Sequence, residues 1–286
     1  MSDMKKLFKR DYFYWLMAAV LIFILGVITH LALKTIGVHL NEMNGKFYDI
    51  MEWQTTWILW TAFIIQALKL LTQETKNRAE VMNLFPIKSR NILTYHYISG
   101  LLIAGVSMLT PPVIIRMHCI SMEKKTGITF ESTDILWAYV TKAIIVFMMF
   151  YSLLILCRRL TNHVAGTVFT FILFKLVMEI SAERYLGMYW DNMADDRIQN
   201  WMFWAVLAAV FIILSYIAEE KKDYAMGGFY AFPVVHLLVM GIIFVGTSYI
   251  FYDLCENIPR ISAWSLVITA ALVITAAVDY ITKAKE

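Results

Sequence analysis

Charge is what this chain most lacks. Only 16% of its 286 residues are Asp, Glu, Lys or Arg, where soluble domains carry about 25%, and the shortage excludes an ordinary enzyme with a water-facing surface. A net charge of +3 supplies no basic patch able to release many counterions, so nucleic acid is not expected as a partner. Three cysteines are too few for a disulfide scaffold. Cys119 and Cys255 fall on the same side of the expected topology, but the sequence does not supply the Cα separation that a bridge between them requires. Metal sites need clustered His, Cys or carboxylates, and the six histidines are scattered with no i, i+4 pair. The nearest approach to a phosphate-cradling loop is Gly100 to Gly105 followed by Val106 and Ser107, which has no Lys and sits in an apolar run. It reads instead as a packing feature, with Gly100, Ala104 and Gly105 letting another helix approach closely. No catalytic constellation, metal or bound cofactor is expected in this chain.

Apolar residues make up 60% of the sequence. At roughly 20 residues per crossing, that content is enough for about eight transmembrane helices. Reading for long apolar runs gives eight, at about 12–33, 53–71, 92–115, 135–156, 164–180, 201–218, 232–252 and 261–281. The expectation is therefore an all-α polytopic membrane protein forming a single transmembrane domain over 1–286. Its first run is too long for a cleaved leader and reads as an anchor. Trp53, Trp57, Trp137, Trp201 and Trp204 stand at span ends, as interfacial anchors do.

Orientation follows from the cations. Fourteen Lys and Arg residues, among them Lys5, Lys6, Lys9, Arg10, Arg158, Arg159, Lys221 and Lys222, fall on one side of the expected topology, and eight fall on the other. Cytoplasmic loops retain positive charge, so both termini are expected in the cytoplasm. The connecting loops leave no room for a separate water-soluble domain.

A charge at mid-membrane costs roughly 2.5 to 3.5 kcal/mol on insertion scales and must face protein or water. Lys175 and Glu179 are spaced i, i+4 in the fifth run. They read either as a self-neutralising pair packed on a neighbouring helix or as part of a substrate path. Lys142, two turns into the fourth run, is expected to snorkel outward or to join them. Lys69, near the inner end of the second run, is expected to snorkel.

Before the first run, Met4 to Arg10 is basic and interrupted by Leu7 and Phe8, the pattern of a helix lying in the headgroup layer. Between the second and third runs, Val81, Met82, Leu84 and Phe85 fall on one helical face and Pro86 should end the helix. A short amphipathic cytoplasmic helix is a ready contact for a partner's groove.

This segment resembles the loop of ABC-2 type transporter permeases. The acidic position is Glu74, the Arg is Arg78, and the phrase Leu84-Phe85-Pro86-Ile87-Lys88-Ser89-Arg90 matches the family's pattern. A second phrase, Glu219 to Phe232, is similar to a basic-acidic, Gly, Phe-x-Phe loop of firmicute members. The resemblance implies that Glu74, Arg78, Val81, Met82, Leu84, Phe85, Pro86, Ile87, Lys88 and Arg90 form a coupling helix that docks on a separate ATPase. It implies two copies of that cytoplasmic ATPase, holding ATP and Mg, beneath a dimer with a second copy of this chain or a homologous permease. The cargo would be a peptide, lipid or drug, and the membrane lipid a further contact. Eight runs exceed the family's common core of six, and the last hairpin has no assigned role. Two alternatives stay open: an ion-coupled secondary transporter using Lys142, Lys175 and Glu179, and an immunity or scaffold protein that sequesters a peptide without moving it.

Overall fold

The computed structural model describes residues 11–36, 43–76, 89–126, 133–161, 163–189, 197–221, 230–232 and 235–243. Among them the backbone is helical almost throughout, and its one β feature is an isolated antiparallel bridge between Thr161 and Tyr230. In chain order the helices are α1 (Tyr12–Ile36), α2 (Met43–Lys76), α3 (Ser89–Thr126), α4 (Thr133–Leu160), α5 (Val164–Ser181) and α6 (Ile198–Lys221). Residues 235–243 are also helical. Helix is the form these runs must take in lipid, because it satisfies every backbone N–H and C=O within the segment.

Among the described residues, four helices contain stretches long and apolar enough to cross a membrane, at Tyr12–Ala32, Ser89–Lys125, Trp137–Leu160 and Ile198–Lys221, and α2 carries a shorter apolar stretch at Thr56–Thr72. The chain is a helical membrane protein. The first six expected runs coincide with α1 to α6. Of the seventh, 235–243 is described as helix. The eighth, and the basic Met4 to Arg10 segment, lie outside the described residues.

The helix ends differ from the expected ones. α2 begins at Met43 and α3 runs on to Thr126, so at 1.5 Å per residue they reach about 50 and 57 Å, well beyond a hydrocarbon layer of about 30 Å. Hydropathy marks only the part in lipid. Once a helix is nucleated, each further residue adds a hydrogen bond, so propagation continues through polar sequence.

Inside α3, Pro111 and Pro112 cannot donate to the carbonyls of Ser107 and Met108. Thr110 beside them donates its hydroxyl to the Val106 carbonyl at 2.8 Å, and membrane helices tolerate such interruptions where neighbours re-satisfy the backbone. α5 ends in a π-helical turn, Ala182–Leu186, closed by Gly187 at φ +61°, a left-handed conformation that glycine adopts without a Cβ clash. The strand of chain that follows is held by buried Asn200 in the first turn of α6. Asn200 accepts from the Tyr189 N–H at 3.0 Å and donates to the Tyr189 carbonyl at 2.7 Å. The Trp204 indole donates to the same Oδ1 at 3.1 Å.

The described residues fall into two compact units, one within Met1–Leu156 and Lys175–Ile217, the other within Cys157–Phe174 and Ala218–Glu286. In the first, α1, α2 and α3 pack against one another. α3 also meets α6 through the stacked rings of Tyr97 and Tyr216, a Tyr97–Ser215 hydroxyl pair at 2.6 Å and a Thr94–Tyr216 pair at 2.8 Å. At Gly100 α3 lies close against α4. A Cβ there would fall 2.9 Å from Cδ1 of Tyr151 and nearer still to Cε1, whereas Gly105 has nothing within 4 Å of its equivalent point. Of the four long apolar stretches, the one in α4 is the most enclosed, 78% of it being buried, against 11% for the one in α1. The outward side chains of α1, such as Phe13, Phe23 and Leu31, are apolar because their solvent is lipid.

Candidate functional site

Among the described residues, charged side chains gather at several places within these apolar helices, positioned by helical spacing. The first joins the start of α1 to α2 and α3. Asp11 precedes α1, and its carbonyl accepts from the N–H groups of Tyr14 and Trp15. Its carboxylate reaches α2 and α3. Oδ2 lies 3.1 Å from the Lys69 ammonium and accepts from the Tyr95 hydroxyl at 2.6 Å. Lys69 also donates to Ser99 at 2.9 Å and to the Tyr95 oxygen at 3.4 Å, and the Ser99 hydroxyl donates to the His96 carbonyl at 3.1 Å. Tyr95 and Ser99 are i, i+4 on α3 and therefore face the same lysine. The ammonium also lies over the Tyr95 ring, 4.4 Å from its centroid, and 5.9 Å from that of Trp15. Both side chains of the ion pair are fully buried.

Lys69 therefore does not snorkel. The reason is that a buried carboxylate, two hydroxyls and an aromatic face surround it, so retreat to the interface would abandon more than it gained. Sequence reading missed Asp11, Tyr95 and Ser99 altogether. The available signal was Lys69 itself, a cation flanked by Leu68, Leu70 and Leu71, which lipid alone would not tolerate.

The second group contains the residues expected on a substrate path. Lys175 pairs with Glu179 on α5, its ammonium 2.6 and 2.7 Å from the two carboxylate oxygens. The same nitrogen lies over Phe150 of α4, 5.3 Å from the centroid, and over Trp60 of α2 at 5.9 Å. These two rings stack on each other at 5.6 Å. The pair is partly open, with 21% and 16% of the two side chains exposed. Lys142 is buried and lies over the rings of Trp201, at 5.3 Å, and Tyr139, at 5.7 Å. Each cation is thus held against aromatic faces, an arrangement worth about 2 kcal/mol or more where water is excluded.

The third group belongs to the second unit. Arg158 and Arg159, expected on a cytoplasmic loop, form the last turn of α4 and are buried. Arg159 Nε lies 3.1 Å from Glu219 Oε2 at the end of α6, both side chains 2% exposed. Arg158 donates to the Thr161 carbonyl at 3.2 Å. Buried guanidinium groups persist here because a carboxylate and freed helix-end carbonyls are within reach. Next to them the Ala231 N–H donates to the Leu160 carbonyl at 2.9 Å, and Thr170 donates to the Tyr230 hydroxyl at 3.4 Å. Burial holds the Tyr230 phenol above its ordinary value, with the Thr170 hydrogen bond acting in the opposite sense. From the second family-like phrase, Glu219 is accordingly a buried ion-pair partner, while 222–229 lie outside the described residues.

Of the residues expected to dock on an ATPase, Glu74 lies in the last turn of α2 and Arg90 in the first turn of α3, its guanidinium 5.7 Å over the ring of Tyr216. Arg78, Val81, Met82, Leu84, Phe85, Pro86, Ile87 and Lys88 lie outside the described residues. Cys119 is a buried free thiol, and Cys255 is outside the described residues. Among the described residues no group of three His, Cys, Asp or Glu could hold a metal ion.

No family model matches the sequence, and no curated protein and no solved structure is found to be similar to it.

Proposed function

We propose that this chain is the membrane permease subunit of an ATP-binding cassette exporter of the ABC-2 type, seated in the bacterial cytoplasmic membrane with eight spans and both termini inside. Two copies of a separate ATPase, holding ATP and Mg, bind beneath a dimer of this chain with itself or a related permease, and the cargo is hydrophobic or amphipathic. The observation that carries the reading is the segment from Glu74 through Arg78 to Leu84-Phe85-Pro86-Ile87-Lys88-Ser89-Arg90, joining two long apolar helices.

The Asp11, Lys69, Tyr95 and Ser99 cluster supports the reading mechanically. Lys69 precedes the end of α2, and Tyr95 follows the start of α3, by about two turns each, or about 10 Å of helix. ATP-driven closure pushing on the joining segment then acts on three helices clamped at one point instead of bending a single helix. Transmission of this kind needs an element that moves as a body between two arrangements.

The test is to purify the chain with the ATPase that accompanies it and to substitute Leu84, Phe85 and Arg78. ATPase binding and ATP-dependent transport should both fall; if neither changes, the assignment is wrong. The Lys175–Glu179 pair favours a second reading, an ion-coupled secondary transporter. That reading requires gradient-driven transport without ATP, abolished in Glu179→Gln.

A further inference from the structure

We infer that the surroundings of the Lys175 ammonium form a binding site for an organic cation, and that Lys175 is the resident occupant that such a ligand displaces. One carboxylate and two aromatic faces converge on the ammonium: Glu179 at 2.6 and 2.7 Å, Phe150 at 5.3 Å and Trp60 at 5.9 Å. This donor set recognises ammonium ligands, the carboxylate supplying charge and the rings supplying the negative faces of their quadrupoles. Helical spacing and packing build it: α5 brings the carboxylate, α4 the phenyl ring and α2 the indole.

Comparison with the Asp11–Lys69 ion pair of the same unit separates a site from a clamp. Asp11 and Lys69 are wholly enclosed, with hydroxyls on both partners. Lys175 and Glu179 are partly open, at 21% and 16%, and Lys175 ends a flexible four-carbon stem able to carry its charge aside. The sign of the ligand follows from the rings. A cation entering in place of Lys175 keeps the attraction of both faces and of the Glu179 carboxylate, whereas an anion entering at the same position would be repelled by all three. Eight residues earlier on α4, about 12 Å along the helix, Lys142 lies over Tyr139 and Trp201, a second aromatic-faced position for a cation.

As the cargo class of the proposed exporter, lipophilic or amphipathic organic cations rest on that reading; binding does not. The experiment therefore needs no ATPase. The full chain in nanodiscs of zwitterionic phosphatidylcholine is titrated with radiolabelled tetraphenylphosphonium, and empty nanodiscs correct for partition. Saturable binding is expected, weakened by about tenfold in Glu179→Gln and about fivefold in Trp60→Leu. Lys175→Met should bind more tightly by about tenfold, because the internal competitor is gone. Tetraphenylborate, of the same size and opposite charge, should show no saturable binding.

A pair that serves packing alone would give no binding, or equal binding in Lys175→Met and wild type, and either result overturns the inference. Saturable binding of tetraphenylborate overturns it also. Should Lys175→Met fail to fold, the exchanged pair Lys175→Glu with Glu179→Lys keeps the ion pair but moves the carboxylate. Wild-type affinity in that variant refutes the site, and loss of affinity supports it. If the cation binds but no ATPase associates with the chain, the site stands and the exporter reading falls.

Discussion

Replacing Lys69 by Met tests whether the chain is clamped at the mouth of its first three helices. Methionine keeps most of the volume and removes the charge. Asp11 then remains fully buried with the Tyr95 hydroxyl at 2.6 Å among its contacts but without the cation 3.1 Å away. Stripping one partner from a buried ion pair costs about 3 to 5 kcal/mol. The surviving hydrogen bond to the carboxylate, of a kind worth about 1.5 to 3 kcal/mol, places the expected loss at the lower end, about 3 kcal/mol. At about 2 to 4 °C per kcal/mol for chains of this size, the apparent melting temperature should fall by about 6 to 12 °C.

The assay is the fraction of monodisperse protein surviving a heat step, followed by size-exclusion chromatography at one fixed heating rate, since membrane proteins often unfold irreversibly. Asp11→Asn combined with Lys69→Met removes both charges and should regain most of the loss, because a neutral replacement of a buried pair is often close to cost-free. Asp11→Asn alone completes the double-mutant cycle, and the coupling it measures should be about 2 kcal/mol. If Lys69→Met melts within about 2 °C of wild type, Lys69 reaches the interface after all. If the double variant is no better than the single one, the loss is packing and not charge.

Gly100→Ala should destabilise by about 1 to 3 kcal/mol through overlap with the Tyr151 ring, whereas Gly105→Ala, which meets nothing within 4 Å, should be neutral or stabilise by up to about 1 kcal/mol; the same heat-step assay compares them. Asn200→Ala removes both hydrogen bonds to Tyr189 and the acceptor of the Trp204 indole. It should cost about 2 kcal/mol and speed proteolysis between Gly187 and Arg197, read by mass spectrometry of the fragments. The raised phenol of Tyr230 has its stability contribution in full below the ordinary tyrosine value of about 10. That contribution is lost as pH rises through the folded value, because the unfolded chain gives up the proton first. Tyr230→Phe should therefore flatten the alkaline fall in stability between pH 9 and 12, measured by the same assay in buffers spanning about those values; an unchanged slope rules out Tyr230 as its source.

Several elements were legible from residue order. A run such as Tyr12 to Leu33 holds no charge, so its one stable form in lipid is a helix, and α1 appears where the apolar residues are. The i, i+4 spacing of Lys175 and Glu179 had already implied a pair, and the short distances between them follow from helical geometry alone. Gly100 read as a point of close approach, and the Tyr151 ring occupies that space. Gly105, which read the same way, has open space instead, because whether a small residue meets a neighbour depends on which way its helix is turned.

The charges divide along the same line. Hydropathy and charge counts treat a cation as belonging to the nearest loop, so Arg158, Arg159 and Lys69 read as interfacial. All three are buried, since Asp11 reaches Lys69 across 58 residues of sequence, and Glu219 reaches Arg159 across 60. Local pattern carries no record of such distant partners. What the sequence by itself determined is the solvent, lipid, and hence the helical form of its long apolar segments, because the cost of an unpaired backbone group in hydrocarbon is the same wherever the run occurs. What only the tertiary structure decided is the fate of the few charges, because Lys69 and Arg159 stay buried where distant segments bring a carboxylate within about 3 Å, and Lys142 where Trp201 of another helix brings its ring.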